Sequence, residues 1–400
     1  MDPFHHPGVS IKTAGETAIA NVAGISQSLV HQRPRCGRFD QFEVIRMDEH
    51  KLNAFAGQIL HDLGGAFGIA LVRMGRQLGL YEALRTRGPL TSAALAREAG
   101  LAERYVREWL SYHAASNYVS YDPATKQFSL TAEQAAVFAD ESSPVYLVDA
   151  FDAAAAYLGN QDKVQSAFIT GGGVGWGRQT TCLFCAVARF FRPGYTAHLI
   201  DHWLPALNGV VDKLDKGAKV ADVGCGHGYT TVMMANAFPH SEFVGFDFHP
   251  ESIHEARKHA KVHAKVHGGH DNIRFEVAAA ADYPGTDYDL VTFFDCLHDM
   301  GDPTGAAAHV RRSLKPDGCW MIVEPFAYDT LEENINPVGR LYYAASTMVC
   351  VPASLDQEVG AALGAQAGER RLREVVTGGG FRTLRRATET PFNLVLEATG

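Results

Sequence analysis

A seven-stranded α/β sheet closed by an antiparallel pair, with a mostly helical unit ahead of it, is the fold this 400-residue sequence predicts. Three observations predict it. After Gly217 short apolar runs alternate with helical patterns. The last two runs are separated only by Glu389-Thr390-Pro391, too few residues for a helical crossover, so they should pair antiparallel. Between about Lys51 and Leu130 three amphipathic patterns precede an alternating pair, which is a winged-helix arrangement.

In chain order, residues 1–46 show no steady hydrophobic period, and their Gly, Pro, Ser and Gln mix reads as a disordered extension. They lack the basic start, apolar core and small-residue cleavage site of a secretory signal. Residues 47–140 form the helical unit. From Lys51 to Leu84 the face Leu71, Met74, Leu78 and Tyr81 recurs at helical spacing, and Gly88-Pro89 ends it. Thr91 or Ser92 can cap a short second helix, Ala93 to Glu98, which Gly100 stops. A third helix carries Tyr105, Trp109 and Tyr112. Val119–Tyr121 and Gln127–Leu130 then form the hairpin. Residues 141–210 are a helical, aromatic-rich linker and lid broken at Gly171–Gly177. In residues 211–400 the strand candidates are Lys219–Gly224, Glu242–Asp247, Ile273–Ala278, Tyr288–Asp295, Cys319–Phe326, Phe381–Thr388 and Phe392–Ala398.

Composition narrows the function. With 46% hydrophobic and 20% charged residues the chain is an ordinary globular protein. No uninterrupted apolar run approaches the roughly 20 residues of a membrane helix, so no membrane span is expected. The net charge of -9, and nine Lys/Arg against ten Asp/Glu within residues 47–140, argue against a nucleic-acid partner and for a dimerisation role of that unit. Seven cysteines are sparse and odd in number, as expected of reduced thiols in a cytoplasmic protein.

The chemistry is concentrated after the first strand of the sheet. Asp222-Val223-Gly224-Cys225-Gly226-His227-Gly228 opens a helix, and its alternate glycines let backbone turn tightly beside a ligand. Asp247 ends the second strand 21 residues after Gly226, where a carboxylate can accept two ribose hydroxyls. A nicotinamide enzyme would instead show G-x-G-x-x-G. At these residues the chain resembles the class I S-adenosylmethionine-dependent methyltransferases, with their Rossmann-like sheet and reversed last strand. The resemblance implies S-adenosylmethionine as cofactor, held by Asp222, Gly224, Cys225, Gly226, Gly228, Asp247, Phe248, Ala279, Ala280 and Asp295. One departure is Ala278-Ala279-Ala280, where the family often has Gly-Asp-Ala; Asp282 is the possible substitute for that Asp.

After the fourth strand comes Asp295-Cys296-Leu297-His298-Asp299-Met300-Gly301-Asp302, at the strand end where open α/β sheets bind ligands. A His there can act as a base at neutral pH, or simply pack beside a helix cap. His298-Asp299-x-x-Asp302 is similar to the His-Asp-Trp-Ser-Asp stretch of the plant-type small-molecule O-methyltransferases, in which that His is the base. The resemblance places Glu324 and Glu369 as carboxylates flanking it, and adds an N-terminal winged-helix dimerisation domain, hence a homodimer. Tyr195, Trp203, Tyr343 and Met348 are the candidate substrate contacts, from the aromatic stretch and from the segment Asn334 to Pro352.

No metal is expected. His259, His263 and His267 share one helix face but are interleaved with Lys258, Lys261 and Lys265, and Cys182-x-x-Cys185 lacks a second pair. The expected activity is methylation of a small aromatic or apolar hydroxyl compound with His298 as base. Two alternatives stay open: an inactive ligand-binding protein that keeps the fold, and a DNA-binding regulator.

Overall fold

The computed structural model describes residues 47–180, 182–267 and 272–400. The extension at residues 1–46 lies outside the described residues, as do the side chains of Cys182, His263 and His267. Contacts divide the chain into residues 1–68 and 69–400.

The described part of the first unit is the beginning of α1 (Glu49–Gln77). It exposes Phe55, Leu60, Leu63 and Phe67. An 18-residue window of α1 has a mean hydropathy of 1.3 and is 11% buried, so this helix is by length and composition alone apolar enough to cross a membrane. The sequence expectation rested on an uninterrupted run, which is absent, whereas this window qualifies on its average alone. Polar residues such as His61 and Asp62 interrupt the apolar run without lowering its average enough to exclude a span. A helix that docks on a protein partner has the same composition.

In the second unit α1 does not continue to Leu84. Gly79, at φ +70°, ends it and starts α2 (Leu80–Arg87). Thr91 caps α3 (Ser92–Ala99), accepting from the Ala94 N–H at 3.2 Å, and Gly100 closes it in the left-handed conformation. Then follow α4 (Glu103–Ala115), the hairpin β1 (Ser120–Asp122) and β2 (Gln127–Ser129), and α5 (Ala132–Phe138). Val72, Tyr81, Leu95, Trp109, Leu110 and Phe128 form the core of this unit. Trp109 belongs to that core, its indole donating to the Leu71 carbonyl at 2.9 Å, whereas Tyr105 is 81% exposed.

The helical middle comprises α6 (Val148–Leu158), α7 (Gln161–Thr170) and α8 (Cys182–His198), the last continuing into a π turn at Leu199–Trp203. Buried Asp149 and Asp152 receive Arg73, Arg76 and Arg189, an ion network that ties α6 to α8 and to the end of α1. A wide network of this kind fixes geometry more than it adds stability.

After α9 (Val210–Lys216) the sheet begins. It contains β3 (Lys219–Val223), β4 (Glu242–Asp247), β5 (Ile273–Val277), β6 (Tyr288–Phe294), β7 (Leu314–Pro325), β8 (Thr383–Glu389) and β9 (Asn393–Thr399) in the order β5-β4-β3-β6-β7-β9-β8. The first five strands are parallel; β9 runs antiparallel between β7 and β8. The reversed last strand is therefore present. α10 (Tyr229–Ala237), α11 (Pro250–His267), α12 (Pro303–Ser313) and α15 (Gly368–Gly378) connect them, while α13 (Pro337–Ala345) and α14 (Val351–Leu355) form the insertion after β7. Continuous apolar strands such as β6 are buried throughout, with Phe293 against Trp320 of β7.

Candidate active site

All the ligand-facing loops lie at the carboxyl ends of the parallel strands. They open into one cavity of about 720 Å³ lined by Gly224–His227, Asp247-Phe248, Ala278–Ala281, Phe294–Cys296 and His298.

The glycine loop is shaped by three positive φ values, at Gly224, Gly226 and Gly228. Their reasons differ. A Cβ at Gly224 would meet Cys296 Sγ at 2.6 Å, and one at Gly228 would meet Phe275 at 2.6 Å, so both glycines serve packing. A Cβ at Gly226 meets nothing within 4 Å, so this backbone lies open to a ligand. Asp247 accepts the Gly226 N–H and the His249 N–H, both at 2.9 Å, and burial raises its carboxyl. Open glycine backbone beside a fixed carboxylate and a floor of alanines fits a nucleoside with two ribose hydroxyls.

Not every sequence candidate joins this group. Asp222 lies beneath the loop, accepting the hydroxyls of Thr230, Thr231 and Thr292 at 2.7, 2.6 and 3.1 Å. Burial pushes its pKa to about 6. Neither Asp222 nor Gly228 lines the cavity, whereas Gly224, Cys225, Gly226, Asp247, Phe248, Ala279, Ala280 and Asp295 do. Asp282, the possible substitute at the β5 end, is exposed outside the lining.

Across the cavity, a 3-10 turn at Leu297–Asp299 carries His298, which is 4% exposed. Its Nδ1 is 2.6 Å from Glu324 Oε2, and the other Glu324 oxygen accepts the Leu297 N–H at 3.0 Å. Both oxygens of a buried carboxylate are thus spent on orienting one imidazole. Burial alone would lower the His298 pKa, but Glu324 and Asp299 override it and hold the ring well above its ordinary value. Glu369 is not brought here. On α15 it pairs with Arg373 and Arg386, at 2.7 and 2.9 Å, outside the lining. The flanking carboxylate expected of it is absent because these arginines hold it against β8.

Asp295 follows β6 with φ +49°, accepting from Tyr195 Oη at 2.7 Å and Asn393 Nδ2 at 3.0 Å. Burial raises its pKa to about 8. Tyr195 and Met348 line the cavity. Trp203 does not; it is 1% exposed, packed in the sheet core beside Leu199 and Phe294. Tyr343 is half-exposed outside the lining, since α13 turns its neighbour Tyr342 inward.

The far wall draws on the aromatic stretch at 141–210 that the sequence offered as part core and part cavity lining. Tyr157 of α6, Trp176, Phe184 and Val187 of α8, with Met348 and Val349 of the insertion, make it apolar. Trp176 and Phe184 are 5.3 Å apart, and Phe184 lies 4.6 Å from His249. Among the described residues no Lys or Arg lines the cavity, while Asp247, Asp295, Asp299 and Asp302 do.

Comparison with known proteins agrees with this geometry. Residues 214–374 match the family model of a methyltransferase domain, and residues 66–139 that of an Rv2258c-like winged HTH domain. Malonyl-[acyl-carrier protein] O-methyltransferase of Paenibacillus sp. (strain JDR-2) is 27% identical over 130 residues, 32% of this chain and 45% of the relative. The chain thus spans about half the length of that relative. A crystal structure of a putative O-methyltransferase from Nostoc punctiforme PCC 73102 superposes with a TM-score of 0.64 at 17% identity, covering 86% of this chain and 98% of the other. Human N-acetylserotonin methyltransferase in complex with SAM gives 0.62 at 14%, covering 90% and 100%. At these identities the structural likeness shows the fold. The chain joins a winged HTH domain to a methyltransferase domain.

Proposed function

From a chain that carries a methyltransferase domain behind a winged-helix domain, we propose an S-adenosylmethionine-dependent O-methyltransferase whose acceptor is a small, apolar, non-anionic hydroxyl compound. The observation that carries the reading is a buried, doubly oriented His–Glu pair in the same cavity as the open glycine loop.

The residues divide the work. Gly224–Gly226 and Asp247 hold the nucleoside end, and S-adenosylmethionine bound there supplies an electrophilic methyl group. The apolar wall positions the acceptor, and alignment for in-line displacement contributes several kcal/mol. As the acceptor oxygen gains the methyl, its proton passes to Nε2 of His298. A phenol near pKa 10 facing an ordinary imidazole near 6.5 leaves a gap of about 3.5 units, roughly 5 kcal/mol. Glu324 narrows that gap by stabilising the imidazolium and fixing the tautomer. Among the described residues the lining offers no Lys or Arg to pair a carboxylate, and its acidic groups disfavour anionic acceptors. The partner reading is a homodimer that covers the exposed apolar residues of α1.

Turnover with paired acceptors tests this. Neutral hydroxylated aromatics should be methylated on oxygen, and their carboxylate-bearing analogues should be poor acceptors. Methyl transfer to a nitrogen or carbon of the same compounds, or a preference for the carboxylates, would overturn it.

A further inference from the structure

The catalytic histidine turns a second face toward two groups that the methyl-transfer reading leaves unused. Nε2 of His298 lies 3.1 Å from Asp299 Oδ1. Cys350 completes a triad, with the imidazole nitrogen, carboxylate oxygen and thiol sulfur all within 4.8 Å of one another. Two irregular segments bring them together: the 3-10 turn that follows β6, and a π turn at Ser346–Cys350 that aims the thiol into the cavity. Such single-turn insertions concentrate at functional positions.

We propose that His298, Asp299 and Cys350 form a binding site for one thiophilic divalent cation of the zinc class. The donor set is nitrogen, oxygen and sulfur, which favours zinc or cobalt over magnesium or calcium, whose ligands are oxygens. Tetrahedral donors at zinc bond lengths stand about 3.3 to 3.5 Å apart; the nitrogen and oxygen, 3.1 Å apart, already meet that spacing, and only the sulfur, within 4.8 Å of each, has to draw in. The fourth position faces the cavity, because all three residues line it. Glu324 on Nδ1 supplies the carboxylate that usually orients a metal-binding imidazole. Asp299 Oδ1 is buried, and what faces it is the other two members of the triad, so its lone pairs are directed into the proposed site. On binding, two protons leave to solvent: the thiol proton as the sulfur–metal bond forms, and the Nε2 proton of the imidazolium, so that the ring binds through a neutral nitrogen.

Cation binding stands on these donors alone. Its consequence rests on the reading of His298 as base: a metal on Nε2 occupies the atom that takes the acceptor's proton, so the cation inhibits transfer.

Cobalt(II) titrated into the metal-free full-length chain tests the site without turnover. A near-ultraviolet thiolate-to-cobalt band should grow to one equivalent and be bleached by zinc. Cys350→Ser should lose the band, and Cys185→Ser, which removes an exposed thiol, should keep it. Asp299→Asn should weaken cobalt binding by 10-fold or more, and Glu324→Gln by about 10- to 100-fold. If Cys350→Ser does not fold by circular dichroism, Cys350→Ala and Asp299→Asn carry the same reading. No band in the native chain, or a band that survives loss of Cys350, overturns the site. Cobalt binding by the native chain together with full turnover by His298→Ala would instead remove the base reading and leave the site standing.

Discussion

Nδ1 of His298 and Oε2 of Glu324 lie 2.6 Å apart, joining the turn after β6 to the end of the neighbouring strand β7. This contact fixes which nitrogen faces the cavity. The glycine loop after β3 opens into the same space, so the loop and the His298–Glu324 pair converge because parallel strands end on one edge of the sheet.

The loop prediction follows from the open space at Gly226. Gly226→Arg fills the nucleoside position without meeting protein atoms at Cβ, at the modest cost of a non-glycine residue at φ +52°. It should abolish S-adenosylhomocysteine binding by calorimetry while circular dichroism stays native. Gly228→Ala, whose Cβ would strike Phe275, should instead lower Tm. Native affinity in Gly226→Arg would place the cofactor elsewhere.

His113 gives the chain a defined acid sensitivity. It is fully buried, with Tyr81 Oη at 2.7 Å from Nε2 and the Trp109 carbonyl at 2.8 Å from Nδ1, the pattern of a neutral ring. Burial lowers its pKa to about 4. The unfolded chain therefore binds the extra proton between about pH 6.5 and 4, and stability present above 6.5 is lost as pH falls through that window. The upper bound is about 3 kcal/mol. His113→Gln should have a lower Tm at neutral pH but a flatter fall on acidification. Asp222 and Asp295, with raised carboxyls, titrate with the opposite sign in both proteins, so the difference isolates His113. Parallel pH profiles would contradict the assignment.

Light scattering should give a mass about twice 43.4 kDa, because Phe55, Leu60, Leu63 and Phe67 are exposed on one helix. Phe55→Glu with Leu63→Glu should yield monomer. A native monomer at micromolar concentration contradicts the dimer, and partition into lipid vesicles would assign those residues to a membrane surface.

The sheet and its reversed strand were legible because each buried strand is a continuous apolar run between turn residues, and the short link at 389–391 forces an antiparallel pair. His298 and Glu324 were legible from a family resemblance in which both end adjacent strands. Glu369 was misread because sequence register cannot show that Arg373 and Arg386 take its carboxylate. Trp203 was misread because an aromatic residue looks alike in a core and in a cavity wall; only the π turn at 199–203 decides which way it faces. Tyr157 and Phe184 stood in the aromatic stretch that the sequence left open between core and cavity wall, since they reach the cavity through the packing of α6 on α8, a tertiary arrangement without local signal. Asp222 was read as a ligand contact, but two threonines of α10 and one of β6 hold it under the loop.

The central claim is that His298 is the base, and turnover by His298→Ala tests it most directly. With a cognate acceptor, the variant should keep S-adenosylmethionine affinity within a few-fold while kcat falls by about 100- to 10,000-fold. Glu324→Gln should lose less, since the ring remains but its orientation and charge support weaken. Full turnover by His298→Ala with native cofactor affinity would contradict the account, leaving His298 a structural residue and proximity alone as the source of catalysis.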